Sequence, residues 1–164
     1  RTTHQSCRKS NSSEEPQDTQ DDQECRRQQL NINRKITMTT LEQVHSDSAP
    51  AAIGPYSQAI KAGPLVFLSG QIPLDPKSME IVSDDVSAQA HQVFKNLIAV
   101  ADAAGGSLSN AAKLTIYLTD LGDFAVVNEI MAGYFSEPYP ARATIQVSAL
   151  PKGARVEIDA VLAL

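Results

Sequence analysis

The spacing of apolar residues changes period across Gly105-Gly106, and that switch limits the fold more than any other feature of the chain. Before the pair, Val86, Ala90, Val93, Phe94, Leu97 and Ala101 recur at helical spacing. After it, Leu114, Ile116 and Leu118 alternate with Lys113, Thr115, Tyr117 and Thr119, which is the period of a half-buried strand. The pattern predicts a helix over 83–104. Ser83, Asp84 and Asp85 are its N-cap candidates, and the glycine pair is its left-handed stop. A chain that follows a helical stripe with strand alternation must bury one against the other.

The flanking segments extend this reading. "YSQAIKAGPLVFLSGQI" predicts two short strands joined at Ala62-Gly63-Pro64, because Pro64 lacks the N–H that a central ladder needs. A short extra strand is expected near Leu41–His45, and "PLDPKSMEIV" reads as a loop. A second helix is expected to start near Asp120 or Asp123, to carry Phe124, Val127, Met131, Tyr134 and Phe135, and to be ended by Pro138 and Pro140. "ARATIQVSAL" and "ARVEIDAVLAL" are two alternating strands joined by Pro151-Lys152-Gly153. The order β-β-α-β-α-β-β predicts an α+β fold, a mixed sheet with two helices packed on one face. Arg142, Thr144, Gln146 and Ser148 share one face of their strand, and Arg155, Glu157 and Asp159 share one face of the next. Such polar character on a sheet face is expected to mark a subunit interface. A tight hairpin about Pro151–Gly153 would set Glu157 opposite about Gln146, roughly 13 Å along the strand from Arg142. One chain would then not bring both groups to a small ligand, whereas a symmetric oligomer would.

Composition divides the 164 residues near Met38. Residues 1–37 hold five apolar side chains (Cys7, Cys25, Leu30, Ile32, Ile36) and no aromatic one, so they are expected to form a disordered N-terminal extension. Residues 38–164 are expected to form one domain. The extension has no apolar run long enough for a secretion signal, and its six acidic residues are unlike a transit peptide. No segment of the chain approaches a membrane span. Residues 38–164 carry 7 Lys and Arg against 13 Asp and Glu, a net charge of −6, which argues against a nucleic-acid groove. Both cysteines lie in the extension, which removes disulfide, thiolate-nucleophile and Cys-zinc chemistry from the domain. Cysteine usage fits a reducing compartment. A cytoplasmic location is expected, with a mitochondrial one as the alternative.

The chain has no phosphate loop, nucleotide fingerprint or His-x-x-x-His pair. His4, His45 and His91 are scattered and read as surface residues, so no metal site is expected. Chemistry falls to Arg, Glu, Tyr, hydroxyl and backbone groups. Arg142 and Arg155 are the only arginines after residue 37. Arg142 follows Pro140, whose fixed φ stiffens the strand entrance, and a guanidinium can fork onto a carboxylate. The strand pattern leaves open whether Arg142 is an anion receptor or a structural ion-pair partner. It leaves the same choice for Glu157, which leaves its strand opposite to Val156 and Ile158. Tyr56 stands at a strand entrance, and Gly70 ends a strand where a close approach is expected.

Five collinear segments together carry a family resemblance: "GPYSQAIKAG" (54–63), "LSGQIP" (68–73), "NLIAVADAAGGSLSN" (96–110), "DFAVVNEIMAGYF" (123–135) and "PARATIQVSALPKGARVEIDAVL" (140–162). Residues 45–164 resemble the RidA (YjgF/YER057c) family of reactive-intermediate deaminases. The resemblance implies a chorismate-mutase-like fold and a homotrimer with ligand clefts between subunits. It implies hydrolysis of 2-imino acids, such as 2-iminobutanoate and 2-iminopropanoate, to 2-keto acids and ammonia without a cofactor. On this resemblance Arg142 holds the substrate carboxylate, Glu157 handles the attacking water, and the backbone at Thr144, where the family often has Cys, helps hold ligand or water. Tyr56 and Gly70 close the pocket. The alternatives are a non-catalytic trimer that binds a small carboxylate such as a keto acid, and RNA cleavage, against which the acidic charge speaks.

Overall fold

The structure is a computed structural model and describes residues 40–164, so the expected extension over 1–37 lies outside the described residues. The elements run β1 (Leu41–Val44), β2 (Ala59–Ala62), β3 (Leu65–Gln71), α1 (Val86–Ala103), β4 (Ala111–Leu118), α2 (Phe124–Ala132), β5 (Ala141–Gln146) and β6 (Val156–Ala163). The six strands form one sheet in the order β1-β2-β3-β6-β4-β5. Only β4 and β5 are parallel, and α2 makes the crossover between them.

Each expected element is present, with local chemistry at its ends. Asp85 is the N-cap of α1, its carboxylate accepting from the Ala88 N–H at 2.9 Å. The helix stops where Gly105 adopts φ +83°, which lets the Gly106 N–H return to the Ala101 carbonyl at 3.0 Å. A single 3-10 turn over Leu121–Asp123, capped by Asp120, leads into α2. The second helix ends earlier than expected. It closes at Ala132, and Tyr134 and Phe135 turn inward to pack on Phe94, with ring centroids 4.6 and 6.2 Å away. Pro138 and Pro140 therefore shape the approach to β5 and do not terminate the helix. Aromatic burial against α1 decides where the chain leaves the helix.

Both helices cover one sheet face. Leu114, Ile116 and Leu118 on β4 stand beside Ala160, Ile158 and Val156 on β6. They pack with Val93, Phe94 and Leu97 of α1 and with Val127 and Met131 of α2, all buried. Burial of a large aliphatic side chain contributes about 1.5–3 kcal/mol, so this layer is the main source of stability. Glu157, Asp159, Tyr117 and Thr115 lie on the opposite face, which no element among the described residues covers. Phe67 on β3 and Ile145 on β5 remain 46% and 47% exposed there.

Two expectations about the last strands are corrected. β5 and β6 are not a hairpin, because β4 lies between them. Every second residue of β6 is apolar and buried from Val156 to Leu162, which suits a central strand, while β5 has polar residues at those positions and takes the edge. The polar faces also separate. Arg142 aligns with Leu114 and Thr144 with Ile116, so both point to the helix side, whereas Glu157 aligns with Tyr117 on the open side.

Candidate active site

Gly70 and Glu157 are built for each other. The β3–β6 pairing shifts register between Leu68 and Gln71, and this bulge places Gly70 under the Glu157 side chain. A Cβ on Gly70 would overlap the Glu157 carboxylate and stand 2.9 Å from its Cδ. The missing side chain thus makes room for an acid. Glu157 is half-buried, and while its backbone belongs to the β4–β6 ladder, its carboxylate has no hydrogen-bond partner among the described residues. Burial first, and the nearby Asp159 charge second, push its carboxyl above the usual carboxylate range. Asp159 is fixed by the Tyr117 hydroxyl, which donates to it at 2.8 Å and whose own proton that carboxylate holds more tightly.

Tyr56, Gly70 and Glu157 line one cavity of about 520 Å³, inside the roughly 300–1,000 Å³ of typical small-molecule sites. Buried amides hold its walls. Gln58 donates to the carbonyls of Ser46 (3.0 Å) and Pro50 (2.8 Å) and accepts from Ser46 N–H (2.7 Å), which pins the loop leading to Tyr56. Asn96 of α1 donates to the carbonyls of Ile72 (3.2 Å) and Leu74 (3.0 Å), which fixes the opposite wall. Ser69 donates to Ser57 O at 2.6 Å and ties β3 to the residue after Tyr56. The Tyr56 hydroxyl accepts from Ile53 N–H at 3.2 Å, and half of the residue stays exposed at the mouth.

Arg142 and Thr144 stand elsewhere. From the strand register, Arg142 is three residues along and two strands across from Glu157, about 14 Å away and on the other sheet face. The guanidinium lies in a second concavity with Asn128, Met131 and Tyr139. Its Nη1 donates to Asn128 Oδ1 at 2.6 Å and lies 3.6 Å from Met131 Sδ, and its carbon sits 5.3 Å from the centroid of the Phe124 ring. These partners hold the cation in place without neutralising it. Among the described residues no carboxylate pairs with it. The Thr144 hydroxyl oxygen is shut from solvent with no hydrogen-bond partner. Arg155 has the structural role instead, its Nη2 donating to both Asp123 carboxylate oxygens at 3.0 and 2.7 Å.

Sequence reasoning named none of Phe124, Asn128 and Met131 as partners of Arg142. Their positions i, i+4 and i+7 put them on one stripe of α2, and a polar Asn inside that stripe was the available signal. Gln58 and Ser69 were missed as well, because glutamine and serine are mostly exposed and nothing in the strand pattern marks Gln58 as buried.

The family model described as Endoribonuclease L-PSP matches residues 46–164. The chain belongs to this family, the RidA/YjgF family. It is 61% identical over 120 residues to Protein DfrA of Myxococcus xanthus, covering 72% of this chain and 92% of that protein. It is 48% identical over 118 residues to the Homo sapiens protein named 2-iminobutanoate/2-iminopropanoate deaminase, covering 72% and 86%. Among solved structures, RidA from the Antarctic bacterium Psychrobacter sp. PAMC 21119 superposes with a TM-score of 0.73 at 52% identity, over 75% of this chain and 99% of that one. As in RidA-family relatives, the fold is a mixed sheet with two helices. Among the described residues no helix is long and apolar enough to cross a membrane.

Proposed function

We propose that this RidA-family chain hydrolyses reactive 2-imino acids, including 2-iminobutanoate and 2-iminopropanoate, at a site shared between neighbouring copies of a homotrimer. The observation that carries this reading is the division of the site. One chain presents a half-buried carboxylate in a cavity, and an un-neutralised guanidinium on a different edge. Each half lacks what the other supplies. A neighbouring copy that sets its Arg142 against the Glu157 cavity would complete both, and a closed ring repeats that contact. The exposed Phe67 and Ile145 on the uncovered sheet face give the copies an apolar surface to share.

The chemistry follows from these groups. Arg142 forks onto the substrate carboxylate and fixes the imine carbon over Glu157. The imine enters protonated on nitrogen, and Glu157 takes a proton from water as the water oxygen adds to the C=N carbon, giving a neutral carbinolamine. Glu157 then gives that proton to the amino nitrogen and takes the hydroxyl proton as the C–N bond breaks, so ammonia leaves, carries that proton away as ammonium, and the 2-keto acid remains. A carboxyl whose proton affinity is raised above the usual carboxylate range suits a group that must do both. Gly70 leaves the room in which the Glu157 carboxylate sits. Hydrolysis needs only water as co-reactant.

The relatives named deaminases support this reading, and the family description that names RNA cleavage does not fit the residues as well. The domain carries 13 acidic against 7 basic residues and offers no clustered cations for a phosphate backbone. The test is a coupled assay in which a threonine dehydratase releases 2-iminobutanoate. Faster appearance of 2-oxobutanoate on adding this protein is expected. Binding of 2-oxobutanoate without acceleration would instead make the trimer a carboxylate sensor.

A further inference from the structure

We propose that Asp159, fixed by Tyr117, is a positioning residue for the reaction, whose negative charge acts through Glu157 and sets the pH range in which that carboxylate works. This role rests on the deaminase reading above and deepens it. Glu157 and Asp159 are two residues apart on β6, so their side chains leave the same sheet face about 7 Å apart. Across the ladder, Tyr117 of β4 stands opposite Glu157, and Thr115 stands opposite Asp159. Tyr117 passes over its direct partner. Its hydroxyl reaches the diagonal neighbour and donates to Asp159 Oδ2 at 2.8 Å, a span that aromatic side chains cover on a sheet. The phenol proton is thus committed to Asp159 and not to Glu157. Neither Tyr117 nor Asp159 lines the Glu157 cavity, so their effect on the reaction passes through Glu157.

Two neighbouring carboxylates ionise less readily together than either does alone. At about 7 Å, on a half-buried face, a fixed charge moves its neighbour's titration by about half a pH unit to one unit. The direction agrees with the raised proton affinity of Glu157, to which burial contributes first and Asp159 second. The Tyr117 hydrogen bond keeps that charge stationary. The other charged groups near Glu157 are few. Lys113, farther along β4 on the same face, is exposed and makes no ion pair with Asp159 among the described residues. Lys152 at the cavity donates to Met79 O at 2.6 Å and stands 3.9 Å from Glu80. Gly70 and Gln71 of β3 and Ile145 of β5 bring no charge, and Tyr56 is the remaining titratable residue of the cavity. In the proposed trimer a neighbouring copy's Arg142 is present whatever stands at position 159, so comparing variants at 159 cancels its effect. Glu157 must take a proton from water and give it to the amino nitrogen. A carboxyl that holds its proton more firmly than a lone glutamate serves that second step.

The test is the pH profile of kcat/KM for 2-iminobutanoate, paired with a carbon-13 NMR titration of the Glu157 carboxyl in the full chain. The Glu157 signal is assigned by its absence from Glu157→Gln. Asp159→Asn keeps the size of the side chain and an oxygen for Tyr117, but not the charge. In this variant the acid limb of the profile and the Glu157 titration should both move down by about half a pH unit to one unit. Asp159→Ser carries the same expectation should the asparagine variant fail to fold. Tyr117→Phe removes the hydrogen bond and leaves the charge, so any downward shift there should be smaller than in Asp159→Asn. An unmoved limb and titration in Asp159→Asn, or an equal or larger fall in Tyr117→Phe, would overturn the role of the Asp159 charge. Turnover with an unmoved titration would do so while leaving the deaminase reading standing. A protein without turnover in which the Asp159→Asn titration still falls would sink the deaminase reading and keep the coupling of the two carboxylates.

Discussion

At Gly70 a single methyl group would fill the space that the Glu157 carboxylate occupies. Gly70→Ala is therefore expected to destabilise the fold by about 1–3 kcal/mol, as overpacking does, and to abolish most turnover, because Glu157 must leave its position. A thermal melt together with the coupled assay checks both. Glu157 itself separates stability from function. Its carboxyl titrates above the usual range, chiefly from burial, so the ionised form is disfavoured by the fold. That penalty is fully present above the raised value and vanishes as the pH falls below the ordinary 4.5. Glu157→Gln should accordingly raise Tm at neutral pH, lose the advantage below about pH 4.5, and lose most activity at every pH. A variant that kept its activity would remove Glu157 from the mechanism. Arg142→Lys keeps the charge but loses the planar fork. With an Arg–carboxylate contact worth about 1.5–3 kcal/mol, kcat/KM should fall about 10- to 150-fold with the fold intact. Of these residues, Gly70, Glu157 and Arg142 were visible in the sequence because each breaks a local pattern: a glycine in a strand, an acid between Val156 and Ile158, an arginine after a proline. Asn128, which holds Arg142 at 2.6 Å, broke its pattern too weakly to be noticed.

At the scale of elements, the period switch at Gly105-Gly106 and the cap at Asp85 were enough to place α1 and β4. Strand neighbours were not legible in the same way. The turn residues Pro151-Lys152-Gly153 suggested a hairpin, yet Lys152 takes φ 56° inside a 3-10 turn and the chain passes the end of β4 before β6 begins. Pairing is a choice among distant segments, settled by which strand can bury a full apolar face. Alternation within one strand says little about its neighbours. The Arg155–Asp123 pair joins β6 to the start of α2 and lies away from the cavity. Arg155→Ala should cost about 1 kcal/mol in denaturant unfolding while kcat/KM stays unchanged. A selective loss of activity would show that this pair has more than a structural role.

For the whole molecule, the uncovered sheet face and the separated halves of the site point the same way. Phe67, about half exposed beside half-buried Glu157 and Asp159, suits the surface that the proposed trimer would share. Sedimentation should give three copies of the chain, and Phe67→Asp should shift it to monomer with its circular dichroism preserved and its deaminase activity lost. The most direct measurement is subunit complementation. Arg142→Lys and Glu157→Gln proteins, each with most of its activity lost, are unfolded together and refolded at equal concentration. If each site takes its arginine from one copy and its glutamate from the next, every mixed ring regains one intact site, and about one quarter of wild-type activity returns. If the mixture stays as inactive as its two components although mixed rings have formed, the site does not draw Arg142 and Glu157 from different chains, and the account fails.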